Sequence, residues 1–123
     1  MEDRATSQIE IQFRAFYAAF NSRDTETLLA AMTPDVDWPN GITGGRVYGR
    51  DGVRQYWSSQ WASIDTCVEP VQLSRDEAGL VHVDVHHVVR DMAGAVLVDR
   101  MVRHVYRLRA GFVARMDILE DAA

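Results

Sequence analysis

The feature that most constrains this chain is its second half, where apolar and polar residues alternate through successive runs separated by short glycine-containing breaks. The runs are Cys67–Arg75, Leu80–Arg90, Val96–Leu108 and Phe112–Leu119, and the breaks are Asp76–Gly79, Asp91–Gly94 and Arg109–Gly111. Alternation with period two sets one apolar face per strand, and breaks this short are hairpin turns, so the half folds as an antiparallel meander. In the run Val96–Leu108 one face reads Val96, Val98, Arg100, Val102, His104, Tyr106 and Leu108; in the preceding run Val81, Val83, Val85, His87 and Val89 form the apolar set. All four histidines, His82, His86, His87 and His104, lie in these two runs.

The first half has a different period. Ile9, Phe13, Phe16, Tyr17 and Phe20 recur at spacings of three and four, which predicts a helix over Thr6–Asn21 capped by Thr6 or Ser7. Asp24 caps a second, shorter helix carrying Leu28, Leu29 and Met32 and stopped by Pro34. A short strand near Val36–Gly41 and a glycine-rich loop over 42–50 follow. A third helix starts at Asp51, with Val53, Tyr56, Trp57 and Trp61 on one face. Helices that cover one face of an antiparallel sheet make a single α+β domain over 1–123, and no repeat or linker divides it.

Charge narrows the partners. A net charge of −5 lacks the basic footprint of a nucleic-acid binder or of a protein drawn to anionic lipid, and no run approaches the length of a membrane span. The expected partners are a small hydrophobic molecule and a second copy of the chain. The single Cys67 cannot form an internal disulfide and reads as a small core residue, and the N-terminus lacks the order of a secretory signal, so a cytoplasmic location is expected.

Which histidines face the helices depends on the turn at Asp91–Gly94. With two or four residues unpaired, Arg90 opposes Ala95 or Leu97, and the valine set shares its face with His104 and Arg100. An odd loop or a bulge brings His82, Asp84 and His86 inward instead. In the first arrangement His87, Arg100 and His104 are polar groups on a core-facing surface beside Met116 and Ile118, and a cavity holding water or ligand satisfies such groups. His82, Asp84 and His86 alternate on the other face; side chains two apart on a strand are about 7 Å apart, long for ligands of one ion, so no metal site is assigned. Asp99 is expected beside His86, and Arg103 beside His82, across the hairpin.

The stretch Phe16–Asp24, then Leu28 and Leu29, Asp35–Trp38, the helix start Gly49–Gly52, and the terminal Tyr106-Arg107-Leu108 with Gly111 resemble the nuclear transport factor 2-like superfamily, in its SnoaL-like branch. That branch includes ketosteroid isomerase and polyketide cyclases. The resemblance implies a cystatin-like cone: a curved antiparallel sheet wrapped around three N-terminal helices, with a hydrophobic pocket in its mouth and frequently a dimer through the sheet. It specifies a fold more than an activity. The isomerase's tyrosine, base and second aspartate correspond to Phe16, Asn40 and His104, so its mechanism is not retained, since Asn cannot take a proton and Phe cannot donate a hydrogen bond. The acidic base of SnoaL-type cyclases corresponds to Ile118, with Asp117 adjacent on the opposite face, while scytalone-type dehydratases use two strand histidines in places that His87 and His104 could fill.

Two functions are therefore expected: a cofactor-independent proton-transfer enzyme (isomerase, cyclase or dehydratase), or a non-catalytic ligand-binding or homodimerisation module. In the enzyme, His104 is the general acid or base, because imidazole accepts and donates protons near neutral pH. His87 assists, Arg100 stabilises an enolate or holds a carboxylate, Asn40 donates to a carbonyl, and Tyr17, Trp38, Tyr56, Trp57, Met116 and Ile118 form walls. No phosphate loop, dinucleotide fingerprint or Ser-His-Asp signature appears in the sequence, and no cofactor is assigned.

Overall fold

The structure is a computed structural model that describes residues 3–41 and 43–120, with side chains over 8–41 and 43–119. In chain order it comprises α1 (Asp3–Asn21), α2 (Thr25–Ala30), β1 (Met32–Pro39), β2 (Arg46–Tyr48), α3 (Gly49–Ser63), β3 (Ile64–Arg75), β4 (Val81–Asp91), β5 (Val96–Arg109) and β6 (Phe112–Glu120). The strands form one open sheet in the order β2-β1-β6-β5-β4-β3, antiparallel throughout except that β1 runs parallel to β6. Bulges interrupt the β3–β4, β4–β5 and β5–β6 ladders. Each adds local twist, which curves the sheet around the helices.

The helical period is realised as expected: Phe13, Phe16 and Tyr17 of α1, Leu28 and Leu29 of α2, and Val53 and Trp57 of α3 are buried in one core that also holds the inward valines of β4. Asp24 caps α2 by accepting from the Thr27 amide. The C-terminal end of α1 is tied to β3 by Asn21, whose amide nitrogen donates to the Val68 carbonyl at 2.7 Å and whose oxygen accepts from the Val68 amide at 2.9 Å. This pair imitates a ladder rung along an edge strand.

Several expectations need correction. The first helix begins at Asp3, so Thr6 and Ser7 are inside it rather than capping it. Met32 belongs to β1, not α2, because α2 ends at Ala30 and Met32 pairs with Val113 of β6. The glycine-rich loop contains β2, a strand too short for alternation to reveal. Arg46 fastens it, donating to Asp37 at 2.6 Å, to Asp117 at 2.9 Å and to the Met116 carbonyl at 2.7 Å. The third helix starts at Gly49, two residues before Asp51. Cys67 is exposed rather than in the core.

The β4–β5 hairpin departs most instructively. Its turn is odd: Asp91 pairs with Ala95 around three residues, and Arg90 opposes Val96 rather than Ala95 or Leu97. Left alone, that register would put His104 on the outer face. A bulge at Leu97 then shifts the pairing to Val89–Val98, so His87 opposes Arg100 and Val83 opposes His104. The odd turn and the bulge cancel, and the valine set shares its face with His104. Val96, beyond the bulge, leaves that face and is 51% exposed. No described helix is long and apolar enough to cross a membrane.

Candidate functional site

Between the sheet's concave face and the helices lies a cavity of about 250 Å³. Its apolar wall comes from α1 (Phe16, Phe20), β1 (Trp38), α3 (Trp57) and β6 (Met116, Ile118). Trp38 and Trp57 meet edge to face at 5.4 Å, and Trp57 stacks on Trp61 at 5.6 Å, which makes this side rigid. Tyr56, also in the lining, accepts hydrogen bonds from the Gly41 amide at 2.9 Å and from Gln60 at 3.1 Å, and so holds the loop at the cavity's edge.

The polar lining falls into two groups. At one end the Tyr17 hydroxyl lies 2.8 Å from Nδ1 of His104 and 2.7 Å from the Tyr106 hydroxyl. His104 is only 7% exposed, and burial, aided by the nearby His87, pushes its pKa down to about 3. It is therefore neutral at physiological pH. Burial likewise pushes both tyrosines above their ordinary values, so their hydroxyls keep their protons. Two directions are open to this chain: Tyr106 donating to Tyr17 and Tyr17 to Nδ1, with the imidazole proton on Nε2, or Nδ1–H donating to Tyr17 and Tyr17 to Tyr106, with Nε2 an acceptor.

At the other end, Val68, His87 and Arg100 occupy adjacent positions across β3, β4 and β5, with Thr66 two residues further along β3. His87 is half-buried; burial first, then the charge of Arg100, lower its pKa, which favours the neutral imidazole. The Thr66 hydroxyl is buried with no hydrogen-bond partner. From Arg100 to His104 the chain advances four residues of strand, roughly 13 Å at the usual rise.

Of the residues expected from sequence, His87, Arg100, His104, Tyr17, Trp38, Tyr56, Trp57, Met116 and Ile118 all line the cavity. Asn40 does not: its side-chain oxygen accepts from the Thr43 amide and shapes the turn before β2. Sequence reasoning passed over Tyr106, Thr66 and Gln60. Tyr106 was legible, being two residues from His104 on one strand face; Thr66 was hidden because no apolar alternation marks the start of β3. On the outer face, His82 pairs with Asp76 at 2.9 Å, His86 with Asp99 at 2.7 Å as expected, and Asp84 with Arg103 at 2.8 Å. Arg103 thus meets Asp84 rather than His82, and among the described residues no group of His, Cys, Asp or Glu is arranged to hold a metal.

A cone of curved sheet enclosing a cavity against three helices defines the nuclear transport factor 2-like class. Within it, the chain belongs to the SnoaL-like domain family, whose model matches residues 13–116. Among solved structures it is similar to TerC co-crystallised with polyporic acid, at 26% identity and TM-score 0.77, covering 92% of this chain and 90% of that one. An NTF2-like protein of unknown function from Burkholderia pseudomallei is 26% identical with TM-score 0.76, covering 89% and 87%. A Mycobacterium tuberculosis protein in complex with estradiol-17beta-hemisuccinate shares the fold at 16% identity and TM-score 0.77, covering 91% and 92%. None of the curated proteins matches the chain.

Proposed function

We propose that this protein takes a small, mainly apolar molecule into the cavity and moves a proton on it without a cofactor, as an isomerase, cyclase or dehydratase does. The observation that carries this reading is the presence of two neutral imidazoles, His87 and His104, in the lining of one mainly apolar cavity. In the tautomer with its proton on Nε2, His104 is a hydrogen-bond donor to a carbonyl oxygen that becomes an enolate. This differs from a general acid or base: an imidazole with a pKa of about 3 is a weak proton acceptor, and its neutral form still polarises a carbonyl. His87, whose lowered pKa favours the neutral imidazole, is our candidate to accept a proton from a carbon acidified by that carbonyl and return it elsewhere on the same molecule. The co-crystallisation of TerC with polyporic acid supports a small-molecule ligand.

The test is hydrogen–deuterium exchange at the carbon next to the carbonyl of 1-tetralone, followed by NMR in D2O. The expected result is exchange above the buffer rate that falls at least tenfold in His87→Ala. Saturable binding without any exchange above buffer defeats the enzymatic reading and leaves a binding module, which the sealed Tyr17–His104 hydrogen bond also suits. We further propose that two copies associate through the outer face of the sheet, where Met101 and Leu119 are exposed between charged neighbours.

A further inference from the structure

The cavity wall contains one buried hydroxyl that the protein itself does not satisfy. Thr66 takes an inward position on β3, between Ile64 and Val68 on the same face, and it opposes Val89, which in turn opposes Val98. All four of these neighbours line the cavity, so the wall is aliphatic here and a valine at 66 would have the same shape with no polar atom. Thr66 is only 2% exposed, and its Oγ1 has no hydrogen-bond partner. Among the buried polar side-chain atoms of the described residues that lack a partner, the Thr66 hydroxyl alone belongs to this cavity's lining. An unpaired buried hydroxyl destabilises the fold relative to an apolar side chain of the same shape, so its partner is to be sought in what occupies the cavity. His87 shares that wall. It opposes Val68, which makes it the diagonal neighbour of Thr66 across the β3–β4 ladder, roughly 7–8 Å away between Cα atoms.

We propose that Thr66 sets the specificity of the cavity: its hydroxyl hydrogen-bonds a hydroxyl group of the ligand, on the part of that molecule that lies against His87. This rests on the reading that the cavity holds a ligand, and it adds the group the ligand must carry and the way round it sits. An alcohol or phenol suits Thr66 because each hydroxyl is both donor and acceptor, so the pair forms with either one donating. The aliphatic side chains around Thr66 favour such an uncharged group over an ion. Size agrees with a ring compound, since an apolar cavity of roughly 150 Å³ accepts one benzene ring and the 250 Å³ here accepts two fused rings. Anchoring the hydroxyl at Thr66 holds the adjoining ring against the imidazole of His87, which makes Thr66 a positioning residue for the proton transfer.

The experiment compares 7-hydroxy-1-tetralone with 7-methyl-1-tetralone by calorimetry at neutral pH, on the full chain. The two share rings and carbonyl and differ only by hydroxyl against methyl, the same exchange that Thr66→Val makes in the wall. Wild type is expected to bind the hydroxyl compound about fivefold more tightly or better. Thr66→Val should abolish or reverse that preference, while Thr66→Ser should keep most of it even though both affinities fall with the lost methyl. Without ligand, the urea midpoint of Thr66→Val should be no lower than that of wild type, because no internal hydrogen bond is removed. A preference that Thr66→Val leaves unchanged, a methyl compound that wild type binds as tightly as the hydroxyl one, or a lowered midpoint, which would show the hydroxyl already bonded within the protein, overturns the Thr66 assignment and leaves the cavity as a ligand site. If neither compound binds at millimolar concentration, the assignment and the ligand-site reading fall together.

Discussion

At the scale of single residues, the Tyr106–Tyr17–His104 chain makes the acid–base reading of this site depend on where protons already are. The pKa of His104 is lowered in the folded state, so between about 3 and the ordinary 6.5 the unfolded chain holds a proton that the native chain refuses. Stability contributed by the neutral imidazole is complete above the unfolded pKa and is lost as pH falls below it. His87, also lowered, acts in the same direction. Urea titrations should therefore show wild type losing about 1.4 kcal/mol per pH unit more than His104→Gln between pH 6 and 4, the slope of one proton; equal slopes would mean the ring titrates normally. Hydrogen-bond direction has its own test. With the imidazole proton on Nε2, Tyr17→Phe strips a donor from Nδ1 and an acceptor from Tyr106, and should destabilise by about 2–4 kcal/mol, whereas Tyr106→Phe removes only the terminal donor and should cost about 1 kcal/mol. A larger loss for Tyr106→Phe would instead place the imidazole proton on Nδ1.

At the scale of elements, the hairpins show what a period-two pattern can and cannot reveal. Tyr17, Trp57, His87, His104 and Met116 were legible as inward residues because each repeats with its apolar neighbours at the strand or helix period. The β4–β5 register was not, since nothing in Asp91–Leu97 shows from sequence that an odd turn will be corrected by a bulge. Nor was the β1–β6 pairing, a parallel contact between distant segments that leaves no local signature, and β2 is held by Arg46 rather than by pattern. The β5–β6 turn carries a local conflict. Ala110 and Gly111 both have positive φ, 53° and 85°, in a two-residue connection that favours Asn-Gly. An L-alanine in the left-handed region is strained by roughly 1 kcal/mol. Ala110→Asn should thus raise the urea midpoint, with about 0.5–1 kcal/mol of added stability and no change in the slope; a loss of stability would show that the alanine methyl makes a contact worth more than the strain.

At the scale of the whole molecule, the two faces of the sheet are built to different ends. Inward, the valines of β4 share one core with the helices, and the cavity beside it is lined by Val89, Val98 and Val102 together with the polar side chains His87, Arg100 and His104. Outward, polar pairs such as the Arg103–Asp84 ion pair and the His86–Asp99 hydrogen bond surround Met101, 47% exposed, and Leu119, 49% exposed. Met101 opposes His86 and Leu119 opposes Arg103, so both project from strands in the middle of the sheet rather than from its edges. Apolar side chains ringed by polar ones on a broad surface match the core-and-rim composition of protein interfaces. A two-fold axis would set the same patch against itself, with each charged pair already neutralised inside its own copy. Sedimentation at micromolar concentration is expected to give about twice the 13.9 kDa chain mass. Met101→Glu, which places like charges across such an axis, should shift the protein to the monomer without altering the affinity for a cavity ligand. A wild-type chain that sediments as a clean monomer would remove the outer face from any role in assembly, and the cavity, which is built within one chain, would stand unaffected.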